Sequence, residues 1–142
     1  MERLSARRYS RAVACALVVD DSPASARTVA TELLQAGYFP VRVANDWADC
    51  RAALAKDPPP DLVVLDVQMV GMVNGDVMAM QLKRNPQCSR ARFVLHSGLS
   101  PRDLEAMAKR CGADAFLQKS ANSKLAEVCK ALVPPVPPTP TP

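Results

Sequence analysis

The sequence of 142 residues has no apolar run long enough to cross a membrane. The longest run near the N-terminus spans residues 12–19, whereas a membrane helix needs about 20 residues. An arginine-rich start precedes this run, as in a signal peptide, but Asp20 and Asp21 end it and no small-residue cleavage site follows. We therefore expect neither a membrane span nor a secretory leader.

The sequence also lacks cysteines at the spacings typical of metal sites or disulfide frameworks. The cysteines show neither CxxC spacing nor a cysteine–histidine cluster, and their odd number argues against a closed disulfide framework. The five are Cys15, Cys50, Cys88, Cys111 and Cys129. We interpret them as reduced thiols, mostly small core residues, and expect a cytoplasmic protein.

Beyond its first eleven residues the chain has almost no net charge. The formal net charge is +4, and residues 1–11 contribute four arginines against Glu2, which is 4 − 1 = +3. A surface that binds the nucleic-acid backbone normally needs a basic patch on the folded domain itself. We therefore expect no nucleic-acid partner, and we interpret residues 1–11 as a flexible basic arm.

The remaining composition suits one folded domain. The length is close to the commonest domain size, and 49% hydrophobic with 23% charged residues is near the globular average. Six of the nine residues in 134–142 are proline, which can support neither a helix nor a strand ladder. We predict a domain over residues 12–133 and a disordered proline-rich tail over 134–142, with no DNA-binding output domain after it.

Short apolar runs alternate with longer segments of helical spacing, a pattern typical of a parallel sheet with crossover helices. The predicted strands are Val13–Val19, Pro40–Val43, Leu62–Leu65, Arg92–Leu95 and Ala115–Leu117. The predicted helices cover residues 23–36, 46–56, 76–84, 101–111 and 125–132. The first, third and fourth strands are apolar on both faces, as central parallel strands require when helices cover each side of the sheet.

Polar side chains gather at the carboxyl ends of these strands, where ligands bind in open α/β sheets. They are Asp20, Asp21, Asp66, His96, Ser97 and Lys119. Three carboxylates held together repel one another unless a cation is bound, and Mg²⁺ prefers such oxygen ligands. Lys119 and Ser97 add a positive charge and a hydroxyl donor. Together these groups would form an electrostatic cradle for a transferred phosphoryl group.

Some residues in this region have a simpler interpretation. His96 is the chain's one histidine, and we expect it to be a satisfied structural side chain, not a metal ligand or a base. A hydrolase triad of His96 and Ser97 is excluded, because adjacent strand residues point to opposite faces. Trp47 and the methionines are interpreted as packing residues.

Four motifs carry a resemblance to a known family. They are LVVDDS at Leu17–Ser22, LVVLDVQM at Leu62–Met69, VLHSG at Val94–Gly98 and GADAFLQKS at Gly112–Ser120. The chain resembles the receiver domain of two-component response regulators over roughly residues 13–132, and more closely its stand-alone, chemotaxis-regulator-like members. The resemblance implies a flavodoxin-like, doubly wound α/β fold, with a five-stranded parallel sheet of order 2-1-3-4-5 and five flanking helices.

The resemblance also implies a metal-dependent phosphoacceptor. Asp66 would take a phosphoryl group from the phosphohistidine of a histidine kinase or histidine phosphotransfer protein. Asp21 and Asp66 would bind Mg²⁺ directly, Asp20 would act largely through water, and the backbone carbonyl of Gln68 would complete the protein ligands.

The remaining implied roles concern the switch. Lys119 would pair with the acyl phosphate, Ser97 holds the position of the switch hydroxyl, and Phe116 that of the switch aromatic. The surface of the fourth helix, fifth strand and fifth helix would then change on phosphorylation. The output is left open between contact of this surface with a downstream protein target, phosphoryl relay to another histidine, and a phosphate sink for a kinase. We expect a monomer or weak dimer and no enzyme activity beyond self-catalysed phosphotransfer and autodephosphorylation.

The sequence departs from the family at two prolines. Val70 replaces the proline that the family has four residues after the phosphoacceptor, in a loop (residues 69–75) that is one residue longer than usual. Ser120 replaces the proline after the lysine, so we expect Lys119 to be less well aimed. These departures leave open a degenerate receiver that binds partners without phosphorylation.

Two further functions of this architecture fit the sequence less well. A Mg²⁺-dependent phosphatase would commonly have an acidic residue at the position of Gln68, and without it turnover lacks a placed proton shuttle. Flavin binding would need a phosphate-cradling loop after the first strand, where Asp20 and Asp21 would repel the phosphate.

Overall fold

The strands form where the sequence has short runs of valine and leucine, and helices connect them. A computed structural model describes residues 13–68, 75–120 and 124–136. The strands are β1 (Ala16–Val19), β2 (Val41–Ala44), β3 (Leu62–Leu65), β4 (Arg92–Ser97) and β5 (Ala115–Gln118). The helices are α1 (Pro23–Ala36), α2 (Trp47–Leu54), α3 (Gly75–Arg84), α4 (Pro101–Cys111) and α5 (Leu125–Leu132), with a 3₁₀ turn at Pro86–Cys88.

All four strand pairings are parallel, and the strand order is β2-β1-β3-β4-β5. The predicted fold and order are confirmed. β1 begins three residues later than predicted, because the ladders of both of its neighbours start opposite Ala16. β4 continues to Ser97, because β5 lies beside it and pairs Ser97 with Gln118.

Serine and glycine cap the ends of α1 and α4. The hydroxyl of Ser22 accepts the backbone N–H of Ser25, and a proline occupies the first turn of α1. At the other end of α1, Gly37 has a φ of 111°, a left-handed conformation that favours glycine. α4 repeats the arrangement with Ser100 and with Gly112, whose φ is 72°.

The sheet separates two apolar layers because successive strand residues face opposite sides. Leu17 and Val19 pack with α2, α3 and α4, whereas Ala16 and Val18 pack with α1 and α5. All five cysteines are buried, which confirms their interpretation as core residues. Burial raises the pKa of the Cys50 thiol to about 12, so this thiol stays protonated at neutral pH.

The first residues after α5 contact the amino end of the sheet. The backbone N–H of Ala14 donates to the carbonyl of Pro135 at 2.7 Å. The hydroxyl of Tyr38, a residue only 1% exposed, donates to the carbonyl of Val133 at 2.6 Å. Residues 134–136 of the predicted tail are therefore held against the domain at this point.

Several predictions concern residues outside this description. The basic arm of residues 1–11, Val70 with most of its loop, and residues 137–142 of the tail lie outside the described residues. Among the described residues, no helix combines the length and the apolar character that a bilayer span requires.

Tyr38→Phe removes the hydroxyl that bonds to Val133. We expect the free energy of unfolding to fall by about 1 kcal/mol, because a half-buried carbonyl loses its partner. Chemical denaturation measures the loss. Thr28→Val is the matched control, since its exposed hydroxyl bonds to the carbonyl of Ala24 within α1 and should matter by less than about 0.5 kcal/mol. Equal small effects for both variants would contradict the anchoring role.

Candidate functional site

Two buried aspartates follow neighbouring strands. β1 and β3 end side by side, with Val19 opposite Leu65. The next residues, Asp20 and Asp66, therefore come together, and their exposed fractions are only 2% and 7%. Oxygens of these two carboxylates and of Asp21 lie within 4.8 Å of one another, a cluster that could hold a metal ion.

Lys119 connects the two buried carboxylates. Its Nζ lies 2.8 Å from Oδ2 of Asp20 and 2.8 Å from Oδ2 of Asp66. The backbone N–H of Lys119 donates to the carbonyl of Ser97 at 2.8 Å, which extends the β4–β5 ladder beyond Gln118. Pairing with β4 places Lys119 within reach of both carboxylates. The expectation that Ser120 leaves Lys119 less well aimed at an acyl phosphate stays a prediction.

The start of α1 holds Asp20 in place. Its Oδ2 accepts the hydroxyl of Ser25 at 2.7 Å, and its Oδ1 accepts the backbone N–H of Ser22 at 3.0 Å. Burial would raise the pKa of Asp20, but the hydrogen bonds from Lys119, Ser25 and Ser22 outweigh it and lower the pKa. Asp20 is thus ionised at neutral pH.

Sequence reasoning missed Ser25 and Asn45. Asn45 donates from Nδ2 to the backbone carbonyl of Asp20 at 2.8 Å. The spacing of Ser25 from the capping Ser22, within the first turn of α1, was the available signal. No motif marked Asn45, because its contact depends on β2 lying beside β1.

The charge of the cluster suits a divalent cation. Three carboxylates and one ammonium sum to −3 + 1 = −2. Burial would lower the pKa of Lys119, but its bonds to Asp20 and Asp66 outweigh burial and raise it, so the ammonium persists. Carboxylate oxygens are the ligands that Mg²⁺ takes in proteins, and the donor set therefore fits this ion.

Ser97 and Gln68 meet beside Asp66. The backbone N–H of Gln68 donates to Oδ1 of Asp66 at 2.8 Å. The hydroxyl of Ser97, which is fully buried, donates to Oε1 of Gln68 at 3.0 Å. Sequence reasoning assigned a role to the backbone of Gln68 alone and missed this side-chain contact. Phe116 lies on β5, half-buried against the core layer of α2, α3 and α4.

His96 differs from its prediction. It is 7% exposed, and its Nε2 finds no hydrogen-bond partner among the described residues. The described residues therefore do not satisfy this nitrogen, contrary to the expectation. Burial, with the positive charge of Lys119, lowers the pKa of His96, although Asp20 and Asp66 act in the opposite direction.

His96→Leu should stabilise the domain without Mg²⁺ by about 1 kcal/mol at pH 8, because it removes a buried unpaired nitrogen. The lowered pKa means that, below the ordinary value of 6.5, the unfolded chain binds more protons than the folded one. Wild-type stability should therefore fall as the pH drops below that value, and the gap to the variant should widen.

Urea denaturation between about pH 5.5 and 8 tests this, the range in which a histidine titrates. Carboxylates contribute the same slope to both proteins, so the difference reports His96. Parallel stability curves for wild type and variant would show that the folded domain does not hold this imidazole neutral.

Comparisons with known proteins agree on one family. The model of the response regulator receiver domain family matches residues 16–131. Response regulator PleD of Caulobacter vibrioides is 36% identical over 103 residues, which are 72% of this chain but 22% of PleD. Protein PilH of Pseudomonas aeruginosa is 27% identical over 108 residues, which are 76% of this chain and 87% of PilH.

Solved structures show the same architecture. Chemotaxis protein CheY4 of Vibrio cholerae has a TM-score of 0.74 and 25% identity, covering 86% of this chain and all of that one. A signal receiver domain of a histidine kinase from Syntrophus aciditrophicus has a TM-score of 0.70 and 30% identity, covering 91% of this chain and 96% of its own. The matched range contains the acidic cluster, Ser97 and Lys119. The chain therefore belongs to the response regulator receiver domain family.

Proposed function

We propose that this receiver domain is a phosphorylation switch whose phosphoacceptor is Asp66. The observation that carries the proposal is the buried carboxylate of Asp66, bonded to Lys119 and grouped with two further carboxylates. A carboxylate oxygen of Asp66 attacks phosphorus, the bond to the donor's histidine nitrogen breaks, and an acyl phosphate forms. The donor is a histidine kinase or histidine phosphotransfer protein.

The acidic cluster holds Mg²⁺ in this proposal. The ion supplies positive charge that offsets the phosphoryl oxygens. Asp21 and Asp66 bind it directly, with the backbone carbonyl of Gln68. Asp20 acts through water, which is supported by its existing bonds, since Oδ2 accepts from Lys119 and Ser25 and Oδ1 accepts from Ser22.

Lys119 stabilises the transferred group. An ammonium has three N–H donors, and two of those of Lys119 bond to Asp20 and Asp66. The phosphoryl group adds negative charge beside this ammonium, so Lys119 turns from Asp66 to a phosphoryl oxygen. Because its backbone is paired with Ser97, the side chain can follow the phosphoryl group while its Cα stays in place.

Phosphorylation changes the surface formed by α4, β5 and α5. Ser97 moves toward the phosphoryl group, and Phe116 repacks. Phe116 lines a groove of about 380 Å³ together with residues of α4 such as Glu105 and Lys109. A downstream protein target would read the state of this groove.

Other expectations complete the proposal. The domain has no enzyme activity beyond self-catalysed phosphotransfer and autodephosphorylation. The cytoplasmic location, the monomer or weak dimer, and the absence of nucleic-acid and membrane partners stay predictions. A degenerate receiver would keep the fold and the acidic cluster but would not take up phosphate.

Asp66→Asn should abolish phosphorylation by acetyl phosphate with Mg²⁺. Intact-protein mass measures the gain of one phosphoryl group by the native chain, which the variant lacks because an amide is not a carboxylate nucleophile. Asp103→Asn, in the first turn of α4, is the control and should gain phosphate normally. A native chain that gains no phosphate and binds no beryllofluoride would favour the degenerate receiver.

Lys119→Met should have opposite effects on metal and phosphate. The cluster loses the ammonium that competes for Asp20 and Asp66, and its charge changes from −2 to −3. Mg²⁺ should then bind about fivefold more tightly or better, as measured by calorimetry, while phosphate uptake falls. Lys109→Met, whose side chain is 77% exposed, should change neither. Weaker Mg²⁺ binding in the Lys119 variant would contradict the assigned competition.

A further inference from the structure

The side chain of Gln68 accepts a hydrogen bond from the hydroxyl of Ser97. The Oγ–Oε1 distance is 3.0 Å, and the hydroxyl also accepts the backbone N–H of Leu99 at 3.5 Å. A serine hydroxyl has a single proton to donate. The bond to Gln68 uses that proton, so the hydroxyl cannot donate it to another acceptor at the same time.

The proposed switch needs the same proton. When Asp66 carries a phosphoryl group, the hydroxyl of Ser97 donates to one of its oxygens, and the bond to Gln68 must break first. We propose that Gln68 is a latch, whose Oε1 holds Ser97 in the unphosphorylated state and sets how readily the domain switches. This inference rests on the proposed function and adds a positioning residue to it.

The latch is separate from the other contacts of Gln68. Its backbone N–H donates to Oδ1 of Asp66 at 2.8 Å, and its backbone carbonyl is the proposed metal ligand. A change of the side chain therefore leaves both backbone contacts possible. Gln68 is exposed, so its amide can turn into water when Ser97 leaves.

Gly98 provides the space that the latch needs. A Cβ at this position would lie 3.1 Å from Oε1 of Gln68. Such a contact is closer than an oxygen and a methyl group normally approach. A side chain at residue 98 therefore requires this amide oxygen to shift by a few tenths of an ångström, which disturbs its bond to Ser97.

The test is a cycle of variants titrated with beryllofluoride and Mg²⁺. Gln68→Met keeps the length of the side chain and removes the acceptor, so the mimic should bind about three- to tenfold more tightly. In the Ser97→Ala background the same change should have no effect. Gly98→Ala should also bind the mimic more tightly. Gln35→Met, on the exposed face of α1, should bind it as the native chain does.

A second measurement does not involve the mimic. Side-chain couplings measured by NMR report the rotamer of Ser97 in the unphosphorylated chain. We expect one rotamer in the native chain and averaging in Gln68→Met. A fixed rotamer in Gln68→Met would overturn the latch. So would a Gln68→Met variant that binds the mimic no more tightly than the native chain, or one whose gain in affinity persists in the Ser97→Ala background.

The two proposals fail in different ways. A native chain that binds no mimic removes the phosphorylation switch, and the rotamer measurement then decides alone whether Gln68 restrains Ser97. If the native chain and Gln68→Met bind the mimic equally well, the phosphorylation switch stands and the latch is overturned.

Discussion

The bonds from Lys119 to Asp20 and Asp66 are the interaction on which the site depends. Burying two carboxylates at adjacent strand ends is unfavourable unless positive charge or hydrogen bonds compensate. One ammonium at 2.8 Å from each provides part of that compensation. It also spans the sheet, since the lysine follows β5 and the aspartates follow β1 and β3. The central and edge strands are thus joined by charge at their carboxyl ends.

The same interaction explains how the acidic cluster keeps its charges despite burial. The lowered pKa of Asp20 and the raised pKa of Lys119 both favour the charged forms, despite burial. The remaining charge of the cluster is still negative. The lysine thus balances part of the negative charge, and the rest of that charge still attracts a cation.

The sequence predicts most of the fold and the site. β3 has the predicted bounds, because Asp61 and Asp66 flank its four apolar residues and a central parallel strand is buried on both faces. The first residue of β1 was not predictable, because it depends on where β2 and β3 begin. The missing partner of His96, the bond from Ser25 to Asp20, and the contact between Gln68 and Ser97 depend on side-chain packing, which residue patterns do not encode. The backbone bond of Lys119 to Ser97 likewise depends on β5 lying beside β4.

The contacts of Ala14 with Pro135 and of Tyr38 with Val133 bring both ends of the described domain to the amino edge of the sheet. The acidic cluster lies at the opposite end of the strands, after their carboxyl-terminal residues. A fluorescent reporter or a tethered neighbour joined at either end would therefore stand on the far side from the carboxylates. Both attachment points can be used at once, and neither lies at the end of the sheet that carries the carboxylates.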